Sequence, residues 1–258
     1  MIIKANGITL YYERYGDGEP VVFSHGWLDD CSVWDKQASM LAATHAVVLY
    51  DLRGHGRSEK PRGDYSVLTL ADDLNGLIQA LELEKVTLVG FSLGGMVSLL
   101  FTLQNPGKVS KLVLVGATAK MPWRAHLLGA LMRLVGHRTL LKTILVKFRF
   151  HRPSKNTIDA FMSKAILVPQ DVARTCFTGF TNRYDIRNRV SDIRVPTLIV
   201  VGEKDRGTPI ACSRYLNTAI DGSELRIIPD SGHEVMIDDP DAFNALLGSF
   251  LVTALSSN

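Results

Sequence analysis

The feature that most constrains the fold is a nearly apolar run, Val86 to Phe91, that ends in a glycine-rich turn around Ser92. A strand that is apolar on both faces is typical of the buried centre of a parallel sheet. The residues that follow, 93–104, have a helical pattern that stops at Asn105-Pro106-Gly107. A buried strand that turns directly into a helix predicts an α/β fold.

The rest of the chain repeats this order of strand and helix. It opens with a predicted β-hairpin whose turn is Asn6-Gly7, a pair that favours tight turns. We predict a mostly parallel, eight-stranded sheet flanked by helices on both faces. The predicted strands are Met1–Ala5, Ile8–Tyr15, 20–25, 46–51, 86–91, 111–115, 196–202 and 224–229, and the predicted helices are 67–81, 93–104, 208–219 and 240–254.

The alternation is interrupted at residues 119–190, called the insertion below, where the pattern is helical, apolar and basic. The insertion holds 14 Lys and Arg against 3 Asp and Glu, a formal charge of +11; the remainder carries −8, and the two sum to the net +3. An insertion between two central strands lies over their carboxyl ends, where open α/β sheets bind ligands. We therefore predict a core formed by residues 1–118 and 191–258, with a helical lid at 119–190.

Length and composition limit the remaining classes of protein. With 258 residues, 46% of them hydrophobic and 21% charged, the chain is typical of one globular domain. It has no apolar run of the ~20 residues that span a bilayer and no signal-peptide layout at its start, so we expect no transmembrane segment. Its 3 cysteines form no CxxC pair, which favours free thiols and a cytoplasmic location. We expect no metal, nucleotide or redox cofactor and no nucleic-acid partner.

The strongest chemical signal is Gly90-Phe91-Ser92-Leu93-Gly94-Gly95, a G-x-S-x-G motif between a buried strand and a helix. A sharp turn at this point lifts the serine hydroxyl clear of the sheet, and glycines two residues to either side avoid clashes. The turn also directs the Leu93 amide and the helix N-terminus towards a site where an oxyanion would form. The alternative is a turn that only packs tightly.

A serine hydroxyl needs a neighbouring base, and an acid that orients the base. After a serine on this kind of turn, the acid and the histidine follow in that order. His233 comes after the last predicted strand and is the predicted base, whereas His25 and His55 precede the serine in glycine-rich turns. The loop after strand 196–202 supplies Asp205 as the predicted acid, with Glu203 as its rival.

A second oxyanion donor is expected from the loop that follows the strand at 20–25. The sequence there is Ser24-His25-Gly26-Trp27, and we assign the donor to the backbone N–H of Trp27. Together with the Leu93 amide it would bind the oxyanion. The alternative is that Trp27 only forms a wall of the pocket; the two roles are compatible.

Over nearly its whole length the sequence resembles the α/β-hydrolase superfamily, in particular its small, lid-bearing serine esterases and lactonases. The resemblance is carried by His25-Gly26-Trp27, by the serine motif, by Asp205 and His233 in their loops, and by Asp51-Leu-Arg-Gly-His-Gly-Arg-Ser58. It implies a catalytic triad that cleaves ester, lactone or thioester bonds through an acyl-enzyme, with Asp51 and His55 in a structural loop. A serine nucleophile disfavours dehalogenase and epoxide hydrolase activity.

Three alternatives stay open at this point. One is C–C bond hydrolysis, which Phe91 disfavours because those relatives often carry a polar residue before the nucleophile. Another is hydrolysis of an acyl ester on a carrier protein, since the sequence also resembles carrier-protein methyl ester esterases at the level of the superfamily pattern. The third is a receptor of the same fold that binds a ligand and turns it over little.

The insertion contributes the predictions about substrate and partners. Apolar residues recur near helical spacing at 127–135 and 140–148; they pack the lid or line a pocket for a small-molecule acyl substrate. The basic residues among them either form a solvated face or attract an acidic acyl carrier or an anionic membrane surface. They are Arg124, Arg133, Arg138, Lys142, Lys147, Arg149 and Arg152.

Overall fold

The computed structural model describes residues 1–135 and 145–252. Its centre is an eight-stranded sheet with the strand order β1-β2-β4-β3-β5-β6-β7-β8. β1 pairs antiparallel with β2, β2 pairs antiparallel with β4, and the remaining neighbours are parallel. This confirms the predicted mostly parallel sheet. The strands are β1 (Ile2–Ala5), β2 (Ile8–Tyr15), β3 (Glu19–Ser24), β4 (His45–Tyr50), β5 (Val86–Phe91), β6 (Val109–Val115), β7 (Thr197–Gly202) and β8 (Glu224–Ile228).

Helices cover both faces of this sheet. The described helices are α1 (Asp35–Leu41), α2 (Val67–Ala80), α3 (Leu93–Gln104), α4 (Trp123–Val135), α5 (Val146–Arg149), α6 (Lys155–Ala165), α7 (Gln170–Asn182), α8 (Ile210–Ala219), α9 (Val235–Asp238) and α10 (Pro240–Val252). The four helices predicted from the sequence correspond to α2, α3, α8 and α10, with ends that differ by up to two residues. Helix α1 was not predicted, because its seven residues are too few for a clear periodic pattern.

The apolar strands divide the core into two layers. Successive side chains of a strand point to opposite faces, so Leu88 packs on one side of the sheet and Val89 on the other. The layer that holds Leu88 includes residues of α2, α3 and the insertion. The layer that holds Val89 includes residues of α1 and α10. All six residues of β5 are buried, as expected for a central parallel strand.

The segment between β6 and β7 contains α4, α5, α6 and α7, in accordance with its helical pattern. α4 contacts α7, where the ring of Phe177 packs close to Gly129. The apolar positions Leu140, Leu141 and Ile144 and the basic residues Arg138 and Lys142 lie outside the described residues. Within residues 1–135 and 145–252, no helix has the length and apolar character required to cross a bilayer.

Candidate active site

Ser92 occupies the turn between β5 and α3. Its backbone has φ 51° and ψ −111°, a conformation that costs a non-glycine residue roughly 1–3 kcal/mol. Its N–H donates a hydrogen bond of 2.8 Å to the carbonyl of Val115 at the end of β6. This bond and the following helix hold the serine in a strained position at the carboxyl edge of the sheet.

The glycines around Ser92 allow the turn to pack closely. A methyl group on Gly94 would clash with the carbonyl oxygens of Ser24, the last residue of the neighbouring β3, and of His25, which follows it. A methyl group on Gly90 would lie 2.5 Å from the carbonyl oxygen of Gly94. The spacing of glycines in the motif is therefore a steric requirement of the strand-to-helix turn.

His233 and Asp205 meet at the same edge of the sheet, each in the loop that follows its strand. Nδ1 of His233 lies 2.8 Å from Oδ2 of Asp205, and both side chains are buried. Oδ1 of Asp205 accepts hydrogen bonds of 2.8 and 2.9 Å from the N–H groups of Gly207 and Thr208. With the carboxylate held in this way, the proton of the imidazole stays on Nδ1 and leaves Nε2 as an acceptor.

Thr208 is a member of this group that the sequence analysis missed. Its Oγ1 lies 2.7 Å from the carbonyl oxygen of Gly116, 3.0 Å from Oδ2 of Asp205 and 3.3 Å from Nδ1 of His233. The hydroxyl thus ties the acid and the histidine to the end of β6. The available signal was a hydroxyl residue three positions after the predicted acid, within the same loop.

The two residues assigned as oxyanion donors are both buried. Trp27 lies in the loop after β3, and Leu93 follows Ser92 directly. Leu93 is the first residue of α3, so its N–H has no acceptor within that helix. The indole of Trp27 donates to the carbonyl of Ala173 at 3.1 Å, and its ring packs 4.9 Å from that of Phe177. The role of their two backbone amides stays a prediction.

A cavity of about 550 Å³ opens where these residues meet. Ser92, Asp205 and His233 all line it. Most of the remaining wall is apolar, and much of that wall comes from the insertion. The volume of the cavity, and its apolar wall with few polar groups, are typical of sites that bind small molecules. The apolar residues of the wall are Trp27, Leu28, Met121, Pro122, Ala125, Leu128, Leu145, Phe148, Phe161, Phe177, Phe180 and Pro209.

Comparison with known proteins agrees with this architecture. The family model described as alpha/beta hydrolase fold matches residues 19–174 of the chain. The protein belongs to the α/β-hydrolase family. It is 30% identical to the AB hydrolase superfamily protein YisY of Bacillus subtilis, over 94% of this chain and 95% of that protein.

Two further relatives of this α/β-hydrolase differ in the reactions that their names describe. The chain is 30% identical to the 2-hydroxy-6-oxo-2,4-heptadienoate hydrolase of Pseudomonas putida, over 97% of this chain and 95% of that protein. An esterase from Exiguobacterium antarcticum superposes with a TM-score of 0.90 at 28% identity, over 97% of this chain and 98% of that structure. Similar members of the family therefore include an esterase and a hydrolase of 2-hydroxy-6-oxo-2,4-heptadienoate.

The rival residues in this hydrolase lie in other surroundings. Glu203 is exposed, pairs with Lys204 and accepts the N–H of Asp230, so its carboxylate faces away from His233. His25 accepts the N–H of Leu52 through Nε2 and contacts the carbonyl of Gly26 through Nδ1. Both nitrogens of His25 are thus occupied by the backbone, which accounts for a structural role.

The Asp51–Ser58 loop of the hydrolase is organised by its own polar residues. Oδ1 of Asp51 accepts the N–H of Cys31 and Oδ2 accepts the N–H of Arg57, at 2.8 and 2.7 Å. His55 is fully buried, and burial lowers its pKa to about 3. These contacts agree with the structural role that the resemblance implied for Asp51 and His55.

Arg149 does not lie on a solvated basic face, which was one of the two interpretations of the basic residues in the insertion. Its side chain is buried and forms ion pairs with Asp29 and Glu234, because α5 places it against the core. The pattern of basic residues could not separate this buried arginine from exposed neighbours such as Lys147. Among residues 1–135 and 145–252, no three His, Cys, Asp or Glu side chains group in a way that would hold a metal ion.

Proposed function

We propose that the protein is a serine hydrolase that cleaves carboxylic esters, with Ser92 as nucleophile, His233 as general base and Asp205 as the acid that orients it. The observation that carries the proposal is the 2.8 Å contact between His233 and Asp205 in the wall of a cavity that Ser92 also lines. The strained turn at Ser92 supports it further, because such strain persists at functional positions that the surrounding structure holds in place.

In the proposed reaction, Oγ of Ser92 attacks the carbonyl carbon of the ester while Nε2 of His233 takes the hydroxyl proton. The negative charge moves to the carbonyl oxygen, which accepts hydrogen bonds from the N–H groups of Leu93 and Trp27. His233 then gives its proton to the departing alcohol as the C–O bond breaks, leaving an acyl-enzyme on Ser92. A water molecule repeats the sequence and releases the acid.

The cavity wall supports an apolar acyl or alkyl group as the part of the substrate that is bound. A lactone or a thioester presents the same carbonyl carbon and is cleaved by the same steps. The esterase from Exiguobacterium antarcticum, at 28% identity, supports an ester as the substrate.

C–C bond hydrolysis is the second candidate, and the named activity of the Pseudomonas putida relative favours it. Against it, Phe91 places an apolar ring directly before the nucleophile, 4.8 Å from the ring of His233. We therefore rank it below ester hydrolysis. A receptor with little turnover has no need of a histidine held by a buried carboxylate, and we rank it third.

An acidic acyl carrier is the partner that we propose for the insertion. Arg124 is exposed and lines the cavity, so it provides a positive charge at the entrance. Lys120, Arg149, Lys164, Arg183 and Arg187, by contrast, are in ion pairs within the molecule. Arg124→Gln should weaken hydrolysis of a carrier-bound acyl group but not of a neutral ester, and the difference should vanish at high salt. Equal effects on both substrates would remove the partner proposal.

The decisive experiment for the hydrolase is labelling with a fluorophosphonate probe. Native protein should be labelled and Ser92→Ala should not, because the probe reacts only with an activated serine. Ser98→Ala is the matched control: Ser98 is a buried serine on the same helix, hydrogen-bonded to the carbonyl of Gly94. Labelling that survives in Ser92→Ala, or that is absent from folded native protein, would contradict the proposal.

A further inference from the structure

One arginine of the insertion contacts two of the loops that carry proposed catalytic groups. Arg149 ends α5 and is 7% exposed. Its guanidinium donates to Oδ2 of Asp29 at 2.5 Å, to the carbonyl of Trp27 at 2.7 Å and to Oε1 of Glu234. Trp27 and Asp29 belong to the loop after β3, and Glu234 follows His233 directly.

The backbone of Arg149 contacts the histidine loop as well. Its carbonyl oxygen accepts the N–H of His233 at 2.7 Å and the N–H of Glu234 at 3.2 Å. Residue 149 therefore holds the backbone of His233 with its carbonyl and the backbone of Trp27 with its side chain. These two loops carry the proposed base, His233, and the proposed oxyanion donor, Trp27. The separation of the loops therefore sets the distance between base and donor.

Aromatic packing fixes the guanidinium between these loops. Its carbon lies 4.4 Å from the ring centroid of Phe161 and 5.6 Å from that of Phe91. The Phe91 ring in turn packs 4.8 Å from the ring of His233. A planar cation with several N–H donors suits this place, whereas a lysine ammonium would reach fewer of the acceptors at once.

A second cation of the insertion pairs with one of the carboxylates that bind Arg149. Nζ of Lys164, on α6, lies 3.4 Å from Oδ1 of Asp29 and 3.5 Å from Oδ1 of Asp30. Burial lowers the pKa of Lys164, but the carboxylates of Asp29, Asp30 and Glu234 outweigh burial and raise it. Burial also raises the pKa of Glu234, with Arg149 opposing that effect. The cations come from the insertion and the carboxylates from the core.

We infer that Arg149 is a positioning residue for the hydrolytic reaction. It fixes the position of the Trp27 loop relative to the His233 loop, so that the oxyanion donor and the base can act on the same substrate carbonyl. The inference rests on the proposed function, because it assigns these two loops their roles in ester cleavage. A buried ion pair that only attaches the insertion would stabilise the fold without influencing His233.

The test compares Arg149→Lys with Lys147→Met, a change at an exposed residue of the same helix. Arg149→Lys keeps the charge but loses the fork of donors, so kcat for a p-nitrophenyl ester should fall by about 10- to 100-fold, as expected for a small misplacement of reacting groups. KM should change far less, and Lys147→Met should behave like native protein. An Arg149→Lys variant that melts earlier but keeps native kcat would overturn the inference.

A measurement that needs no turnover tests the role of Arg149 independently of the proposed hydrolase activity. Proton NMR of the Nδ1–H of His233, which faces Oδ2 of Asp205, should give a shifted resonance in Arg149→Lys and an unshifted one in Lys147→Met. An unshifted resonance in both variants would overturn the inference, whether or not native protein is labelled at Ser92. If Arg149→Lys does not fold, the triple variant Arg149→Met, Asp29→Asn, Glu234→Gln takes its place in both measurements. It removes the arginine and its two carboxylates together, and Lys164 keeps Asp30 as its partner.

Discussion

Oδ2 of Asp205 lies 2.8 Å from Nδ1 of His233, although the two residues are separated by a helix and a strand in the chain. The contact arises because β7 and β8 are parallel neighbours, so the loops after them emerge side by side at the same edge of the sheet. In the proposed reaction, the carboxylate fixes the tautomer of the imidazole and stabilises the imidazolium that forms during proton transfer.

Replacing the charge of Asp205 while keeping its shape should therefore abolish most of the activity. We expect Asp205→Asn to lower kcat for a p-nitrophenyl ester by about 10⁴-fold, because an amide can hold the imidazole in the wrong tautomer. Glu203→Gln, a change to the exposed carboxylate of the same loop, should leave kcat near native. If Glu203→Gln gave the larger loss, the assignment of the acid would be wrong.

Thr208 should contribute less than Asp205, but measurably. Thr208→Val removes the hydroxyl that bridges Asp205, His233 and the carbonyl of Gly116 while keeping the volume of the side chain. A hydrogen bond to a charged group is worth about 1.5–3 kcal/mol, so kcat should fall by roughly 10- to 100-fold. Thr208→Ser retains the hydroxyl and should stay near native. A loss in Thr208→Ser as large as that in Thr208→Val would contradict the role of the hydroxyl, because the serine variant keeps it.

The backbone strain at Ser92 should appear as a difference in stability between its glycine and alanine variants. At φ 51° glycine is permitted and alanine is strained, so Ser92→Gly should unfold with a free energy about 1 kcal/mol above that of Ser92→Ala. At Ser98, inside α3, the order should reverse by about 1 kcal/mol, because glycine is unfavourable within a helix. Urea unfolding of the four variants tests this, and an identical order at both positions would contradict it.

His55 should make the protein sensitive to acid. Its pKa falls from 6.5 to about 3 on folding, so below pH 6.5 the unfolded chain takes up a proton that the folded chain does not. The free energy of unfolding should therefore decrease as pH falls from 6.5 towards 3, by at most about 1.4 kcal/mol per pH unit from this residue. His55→Gln should flatten that decrease in urea titrations at several pH values. His126→Gln, at an exposed histidine, should keep the native slope; a steep native slope in His55→Gln would count against the assignment.

The parts of the fold and site that the sequence predicts are those set by local stereochemistry. Few conformations are available to the apolar run Val86–Phe91, to the glycines around Ser92 and to the Asn6-Gly7 turn. The structure has the expected strand, strand-to-helix turn and hairpin turn at these positions. Asp205 and His233 were identifiable because each follows a predicted strand, and parallel strands end at a common edge. The structure then brings the two side chains together.

The parts that escaped prediction depend on tertiary contacts that no local pattern encodes. Arg149 and Lys147 are two residues apart in one basic run, yet one is buried among carboxylates and the other is exposed. Only the position of α5 against the loops after β3 and β8 distinguishes them. Thr208 is similar, since its hydroxyl acquires its role from Gly116, which lies 92 positions away in the chain. The lid function of the insertion and the oxyanion role of Trp27 stay predictions.

The ion pairs of Arg149 have a consequence for exchanging parts between members of this family. A chimaera that took its insertion from this protein and its core from a relative without Asp29 and Glu234 would bury an arginine with no counter-charge. The reverse chimaera would bury two carboxylates with no cation, and both errors are costly inside a protein. The insertion is therefore not an interchangeable module: a transplant that alters specificity has to bring Asp29 and Glu234 with it from the core loops of this protein.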